Sequence, residues 1–220
     1  METLNQILAR IQKDSLDAGR EKQPLLIAVS KFQTIEKIIG LYEQGQRAFG
    51  ENYVQELVTK KKLLQDLGYC GLEFHFIGKL QKNKVKTVLP HVRAIHSVDS
   101  IRLLEEIEKK SQELSMKPEV YFQINIDEEP TKGGFLASDL ENLCGLVRGC
   151  RNLIPSGLMA IPDPQRDPEN AFERMKKLSL EYGEILGTGL SMGMSGDFGS
   201  AIRNGSTVIR IGTALFGERE

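Results

Sequence analysis

Apolar and polar positions alternate along this chain on two distinct periods. Short runs rich in Val, Ile, Leu, Phe and Ala fall at 25–30, 47–49, 74–77, 94–98, 120–125, 154–161, 190–192 and 207–211. Runs that are apolar at consecutive positions suit strands covered on both faces. Between them apolar residues recur at i, i+3, i+4 and i+7, as in Ile35/Ile38/Ile39/Tyr42 and Leu140/Leu143/Cys144/Val147, the stripe of an amphipathic helix. Strand starts recur every 20 to 35 residues or so, roughly the length of a strand–helix unit with its loops. Eight such units predict an α/β fold with a parallel sheet wrapped in helices. In a chain of this length they favour a single (β/α)8 TIM barrel, residues 1–220 forming one domain, over an open doubly wound sheet.

Helix boundaries are also legible. Thr34 opens "TIEKIIGLYEQG" and Gly45 ends it, while Pro90 closes another helix. Asn52 with Gln55, and Ser138 with Glu141, have the spacing of capping boxes. An extra amphipathic segment, Leu4/Ile7/Leu8/Ile11, precedes the first strand, and only "GTALFGERE" follows the last. The N-terminal helix is expected to cover the place that a short final helix leaves.

Charge and cysteine content then narrow the function classes. With 29 Lys and Arg against 30 Asp and Glu, a broad face for nucleic acid or an anionic membrane is not expected. Lys60, Lys61, Lys62 and "NKVK" read as solvated helix faces. Cys70, Cys144 and Cys150 form no CxxC pair, and their odd number argues against a disulfide framework. The start "METLNQILARIQKDS" lacks a signal core, and no segment nears the apolar length of a membrane span, so the cytoplasm is the expected compartment.

In a parallel barrel, function gathers where strands end at their C-terminal edge. The sequence sets Lys31, Asn52, His75, Ser97, Asn125, Ser195, Arg210 and Thr213 there. Polar strand-to-helix loops are ordinary, and Asn52 alone reads equally well as a helix cap. Their joint occurrence at one predicted rim is harder to discount. Lys31 is the sharpest case: it ends "IAVSKF" and shares parity with Leu25, Ile27 and Val29. On the interior face its amine would be poorly solvated, which favours a neutral amine able to attack a carbonyl. The ordinary alternative is a rim lysine paired with a carboxylate such as Glu51.

The tail adds a second requirement. Eight glycines lie from Gly187 to Gly217 in "GTGLSMGMSGDFGSAIRNGSTVIRIGTALFG". Free N–H groups and close backbone approach at the loops after strands 7 and 8 make a phosphate cradle, to which Ser195 and Thr213 add hydroxyls and Gly212 a turn. Lysine and cradle together describe an aldehyde that carries a phosphate, either pyridoxal 5′-phosphate (PLP) or a sugar phosphate in an aldolase. Arg210, inside an apolar strand and in parity with Val208, reads as a second phosphate ligand or as a donor to a pyridine nitrogen. In the second role it would keep that nitrogen unprotonated and the ring a weak electron sink. His75, His91 and His96 lack metal-ligand spacing, so no metal is expected. "DEEPTKGGF", 127–135, reads as a lid or as a merely mobile loop.

The stretches "AVSK", "FGENYVQE", "HFIGKLQKNK", "IHSVDS", "TKGGF", "GLMAI", "LSMGMSGDFGSAI" and "GSTVIRIGTALFG", in this order, strongly resemble the YggS/PROSC family of PLP-homeostasis proteins. The resemblance runs nearly end to end, with one small departure at Phe32, where threonine is common. It implies a barrel like the N-terminal domain of bacterial alanine racemase, with PLP held on Lys31 as an internal aldimine. By the same resemblance, phosphate contacts fall on Ser195, Gly212 and Thr213, Arg210 faces the pyridine nitrogen, and Asn52, Ser97 and Met194 line the cofactor. It further implies a protein that binds, stores or delivers PLP, with apo PLP-enzymes as recipients and no strong amino-acid-transforming activity. A racemase needs a second base. None of Tyr42, Tyr53, Tyr69, Tyr121 and Tyr182 is obviously placed to supply it, and the chain's end at Glu220 is expected to leave no second domain, which favours a monomer. The competing expectation is a PLP-dependent enzyme with weak racemase-type activity, for which Lys31 would be the catalytic residue.

Overall fold

The structure is a computed structural model and describes residues 2–217. In chain order the elements are α1 (Leu4–Asp17), β1 (Leu25–Val29), α2 (Ile35–Glu43), β2 (Ala48–Glu51), α3 (Val54–Asp66), β3 (Glu73–Phe76), α4 (Val85–Val88), β4 (Ala94–Val98), α5 (Ile101–Glu113), β5 (Glu119–Gln123), α6 (Leu140–Val147), β6 (Ile154–Met159), α7 (Pro168–Leu186), β7 (Gly189–Ser191), α8 (Phe198–Arg203), β8 (Val208–Ile211) and α9 (Thr213–Phe216). Each strand pairs in parallel with its sequence neighbour, and β8 closes onto β1 with Ile27 opposite Arg210. All eight predicted strands are present, their ends matching or shifted by at most two residues.

The strand parity follows from two layers of burial. Leu26 and Ala28 face the helices and join the large outer core. Ile27 faces inward, where it packs with Ala48, Ala94, Tyr121, Met159 and Val208 to fill the barrel's lower interior. The inward parity of Ile27 carries through Val29 to Lys31 at the upper mouth. Between β6 and β7 the backbones touch: Gly157 has φ 147°, and a Cβ there would stand 1.9 Å from Gly189 O, so glycine is required.

α1 is capped by Thr3, whose Oγ1 accepts from Gln6 N while Gln6 Oε1 accepts from Thr3 N. It buries Leu4, Ile7 and Ile11 and leaves Leu8 half-exposed, packs on α8, and sends Glu2 N to Ala214 O at 2.8 Å. The extra helix thus backs the four-residue α9, as expected.

Three local expectations are corrected. α3 begins at Val54 with Tyr53 as its N-cap, so Asn52 caps nothing. α6 is entered through a 3-10 turn in which Asp139 Oδ2 accepts from Leu136 N, displacing the box expected of Ser138 and Glu141. Lys60 is not solvated: its side chain is 7% exposed and paired with Glu51 and Glu56. The reason is geometric, since Lys60 lies on the face of α3 that also buries Leu57 and Leu64. Among the described residues no helix is long and apolar enough to cross a membrane.

Candidate functional site

A cavity of about 290 Å3 opens at the C-terminal edge of the barrel. Of the residues named from the sequence, Lys31, Asn52, Met194, Ser195, Arg210, Gly212 and Thr213 line it. Val29, Gln33, Ile77, Ile161, Gly196 and Gly217 complete the lining; the two glycines belong to the glycine-rich tail, and nothing in the residue types of Gln33, Ile77 and Ile161 marked them. Lys31 and Arg210 are its only titratable side chains among the described residues.

Each contributor is set by its element. Lys31 follows β1 in the turn that also contains Phe32, a non-glycine residue with φ 62°. Glu51, the carboxylate that might have paired with Lys31, is engaged elsewhere: its Oε1 accepts from Ser30 Oγ (2.6 Å) and Lys60 Nζ (2.9 Å) on the outer side of the wall. Burial pushes the Glu51 carboxyl up against the opposing pull of Lys60. Asn52 is pressed against the next strand end, since a Cβ on Gly78 would stand 2.3 Å from Asn52 O. Its Oδ1 is buried with no partner, an acceptor left for something that enters the cavity.

Across the mouth, the β7 loop turns tightly: Met194 N donates to Asp197 Oδ1 (2.6 Å), and Asp197 N and Phe198 N return to Met194 O. Ser195 and Gly196 form the tip of that turn. Gly212 and Thr213 open α9, where Gly212 O accepts from Leu215 N and Phe216 N. The floor is Arg210, 4% exposed, with Nη1 on Ser191 O and Oγ and Nη2 on Ala160 O, each at 2.9 Å. Burial lowers its pKa to about 10, opposed by nearby Asp197, so it stays cationic at neutral pH.

Below the floor lies a polar layer. Ser191 Oγ contacts His96 Nδ1 (2.8 Å), and His96 Nε2 contacts His75 Nδ1 (3.0 Å). A guanidinium can only donate, so Ser191 Oγ accepts from Arg210; its second lone pair can accept from His96 Nδ1, or its own proton can turn toward that atom. In the second arrangement His96 donates from Nε2 to His75 Nδ1, which leaves an N–H at His75 Nε2, a buried atom with no partner. This order requires both rings neutral. Burial pushes His75 down to about 4 and His96 well below its usual value, helped by the neighbouring charges. His96 also stacks on Tyr121 with centroids 4.4 Å apart.

Other expected residues lie outside the cavity lining. Ser97 is buried one layer back and donates its hydroxyl to Gly78 O. His75 sits inside the barrel, not at the rim. Asn125 staples the 127–135 loop, donating to Glu129 O and Lys132 O and accepting from Glu129 N. Among the described residues no three His, Cys, Asp or Glu side chains form a metal-sized group.

The sequence model for the N-terminal domain of alanine racemase matches residues 8–220. The chain is 40% identical, over 100% of its length and 98% of the relative's, to the pyridoxal phosphate homeostasis protein of Aquifex aeolicus. It is 38% identical to that of Escherichia coli K12, covering 99% and 95% of the two chains. Among solved structures, PipY of Synechococcus elongatus with PLP bound superposes with a TM-score of 0.80 at 34% identity, covering 93% of this chain and 99% of that one. Alanine racemase of Corynebacterium glutamicum, 16% identical, aligns with 99% of this chain and 62% of its own at a TM-score of 0.68, a likeness of fold alone.

Proposed function

The chain belongs to the pyridoxal phosphate homeostasis family, on the barrel of the alanine racemase N-terminal domain, and from that premise we propose that it binds PLP at the barrel mouth, held covalently by Lys31, and serves to keep or hand on the cofactor. The observation that carries this reading is the composition of one cavity: a single lysine, an arginine floor and a glycine-rich hydroxyl rim. When bound, PLP supplies an aldehyde that a neutral amine attacks and a ring that withdraws electrons in proportion to protonation of its nitrogen.

The residues present fit that group. Ser195 and Thr213 offer hydroxyl donors and Gly196 and Gly212 close backbone approach for a phosphate dianion. Val29, Ile77, Ile161 and Met194 give apolar walls for a flat ring. The unpartnered Asn52 Oδ1 can accept from a ring substituent. Arg210 donates toward the ring nitrogen and, as a cation with no proton to give at neutral pH, disfavours protonation there. Ser97, behind Gly78, belongs to the supporting shell in this reading.

The same lining supports holding over transformation. Inversion at a Cα takes a base on each face of the substrate. Besides Lys31 the described lining offers only Arg210, which cannot act as a base at neutral pH. We propose that the chain works as a monomer, with apo PLP-enzymes as the recipients. The test is transfer: loaded protein mixed with an apo PLP-enzyme should restore that enzyme's activity faster than the same concentration of free PLP trapped by a scavenger. Transfer no faster than release into solution would refute the carrier role. Exchange of Cα hydrogen of alanine or another amino acid with solvent deuterium, abolished in Lys31→Ala, would favour the racemase-type reading instead.

A further inference from the structure

The turn that carries Lys31 is held from outside the barrel. Its next residue, Phe32, has φ 62°, a left-handed conformation that a bulky aromatic adopts only when its surroundings impose it. The Phe32 ring is 57% exposed and packs beside Tyr53 with centroids 5.0 Å apart. The turn closes on itself through Gln33 N to Ser30 O at 3.0 Å, and both residues flanking Lys31 are also gripped from α3 and β2. Ser30 O accepts from Lys60 Nζ (2.5 Å), Ser30 Oγ donates to Glu51 Oε1 (2.6 Å), and Phe32 N donates to Glu56 Oε1 (2.5 Å). Lys60 ties the two carboxylates together at 2.9 and 2.5 Å.

This cluster is costly. Glu51 is withdrawn from water entirely, Lys60 nearly so and Glu56 in part, and Glu51 Oε2 is buried without a partner. Buried ion pairs of this kind seldom add to stability over apolar residues of the same size. None of the three side chains lines the cavity, so they reach the site only through the backbone of residues 30–32.

We propose that Glu51, Lys60 and Glu56 form a clamp that holds the 30–32 turn in its left-handed form and so fixes the direction from which the Lys31 amine enters the cavity. They are positioning residues, and the inference rests on the reading that Lys31 holds PLP. Glycine adopts φ near 60° at no steric cost, so a glycine at position 32 makes the clamp dispensable. That dependence separates positioning from general structural support.

The experiment uses the full chain loaded with PLP and compares wild type, Glu56→Ala, Phe32→Gly and the double variant by the rate of PLP release into a scavenger. Hydrogen exchange at the Phe32 amide, measured without PLP, is a second readout. Glu56→Ala is expected to speed release by about tenfold and to deprotect the Phe32 amide, the effect of losing one charge-assisted hydrogen bond. In the Phe32→Gly background the same change should alter release less than about twofold, since the conformation it guards no longer costs anything. Glu56→Gln, which keeps a carbonyl acceptor, should restore most of the wild-type rate. Glu56→Asp, too short to reach, replaces Glu56→Ala should that variant not fold. An unchanged release rate, or an equal effect in both backgrounds, overturns the clamp while leaving the Lys31 reading intact. A wild-type protein with no Lys31-dependent PLP absorbance overturns both.

Discussion

Replacing His75 by leucine should flatten the acid dependence of stability between pH 7 and 5. In the folded protein burial holds His75 at about 4 and His96 well below its usual value, whereas both titrate near 6.5 in the unfolded chain. Between those values the unfolded state binds more protons, so the contribution is fully present above the unfolded pKa and is lost as pH falls toward the folded one. Integrating from pH 7 to 5 gives a loss of about 2 kcal/mol for His75, with His96 acting in the same direction. Glu51 acts in the opposite sense, because its raised folded pKa means that acidification relieves a buried charge, but it is common to both proteins and cancels in the comparison. Urea midpoints at pH 7, 6 and 5, read at constant m-value, should show wild type losing about 2 kcal/mol more stability than His75→Leu over that range. Equal slopes in the two proteins would falsify the neutral histidine layer beneath Arg210.

Three further outcomes follow from other contacts. Gly157→Ala puts a methyl group where Gly189 O lies 1.9 Å away; β6 and β7 must separate, and thermal melting should show a loss of more than about 3 kcal/mol or no folded protein. Lys60→Met leaves Glu51 and Glu56 without their shared cation, and a destabilisation of about 3–5 kcal/mol in urea is expected, largely recovered when Glu51 is also made apolar; a single variant as stable as wild type would contradict the buried pairing. Ser195→Ala and Thr213→Val should each weaken PLP binding by about tenfold in calorimetry, the loss of one hydrogen bond to an anion, with thermal stability of the PLP-free protein nearly unchanged.

The barrel was legible because its two signals are redundant. Strand runs such as Leu25 to Val29 and stripes such as that of α6 repeat eight times, so an error at one boundary does not change the architecture. The lysine was legible for a related reason: parity from Ile27 through Val29 fixes Lys31 on the inner face once the fold is known. Caps were less so. Asn52 has the residue type of a cap but is drawn out of that role by the close packing of Gly78 on its backbone, a contact between sequence-distant strand ends. Lys60 looked solvated within a run of three lysines, and only the register of α3 against β2 shows which of the three points inward. The chain from His75 through His96 and Ser191 to Arg210 joins four strands and has no local signature; inward parity at β3, β4, β7 and β8 was the signal available for it.

The central claim is that Lys31 holds PLP at this mouth. The direct measurement is the absorption spectrum of the purified protein after incubation with PLP and removal of the excess, before and after borohydride. The account predicts a visible band that borohydride abolishes, with the reduced cofactor's mass recovered on the peptide containing Lys31 and no such band or adduct in Lys31→Ala. A wild-type protein that retains no band, or an adduct that persists on another lysine when Lys31 is removed, would contradict it.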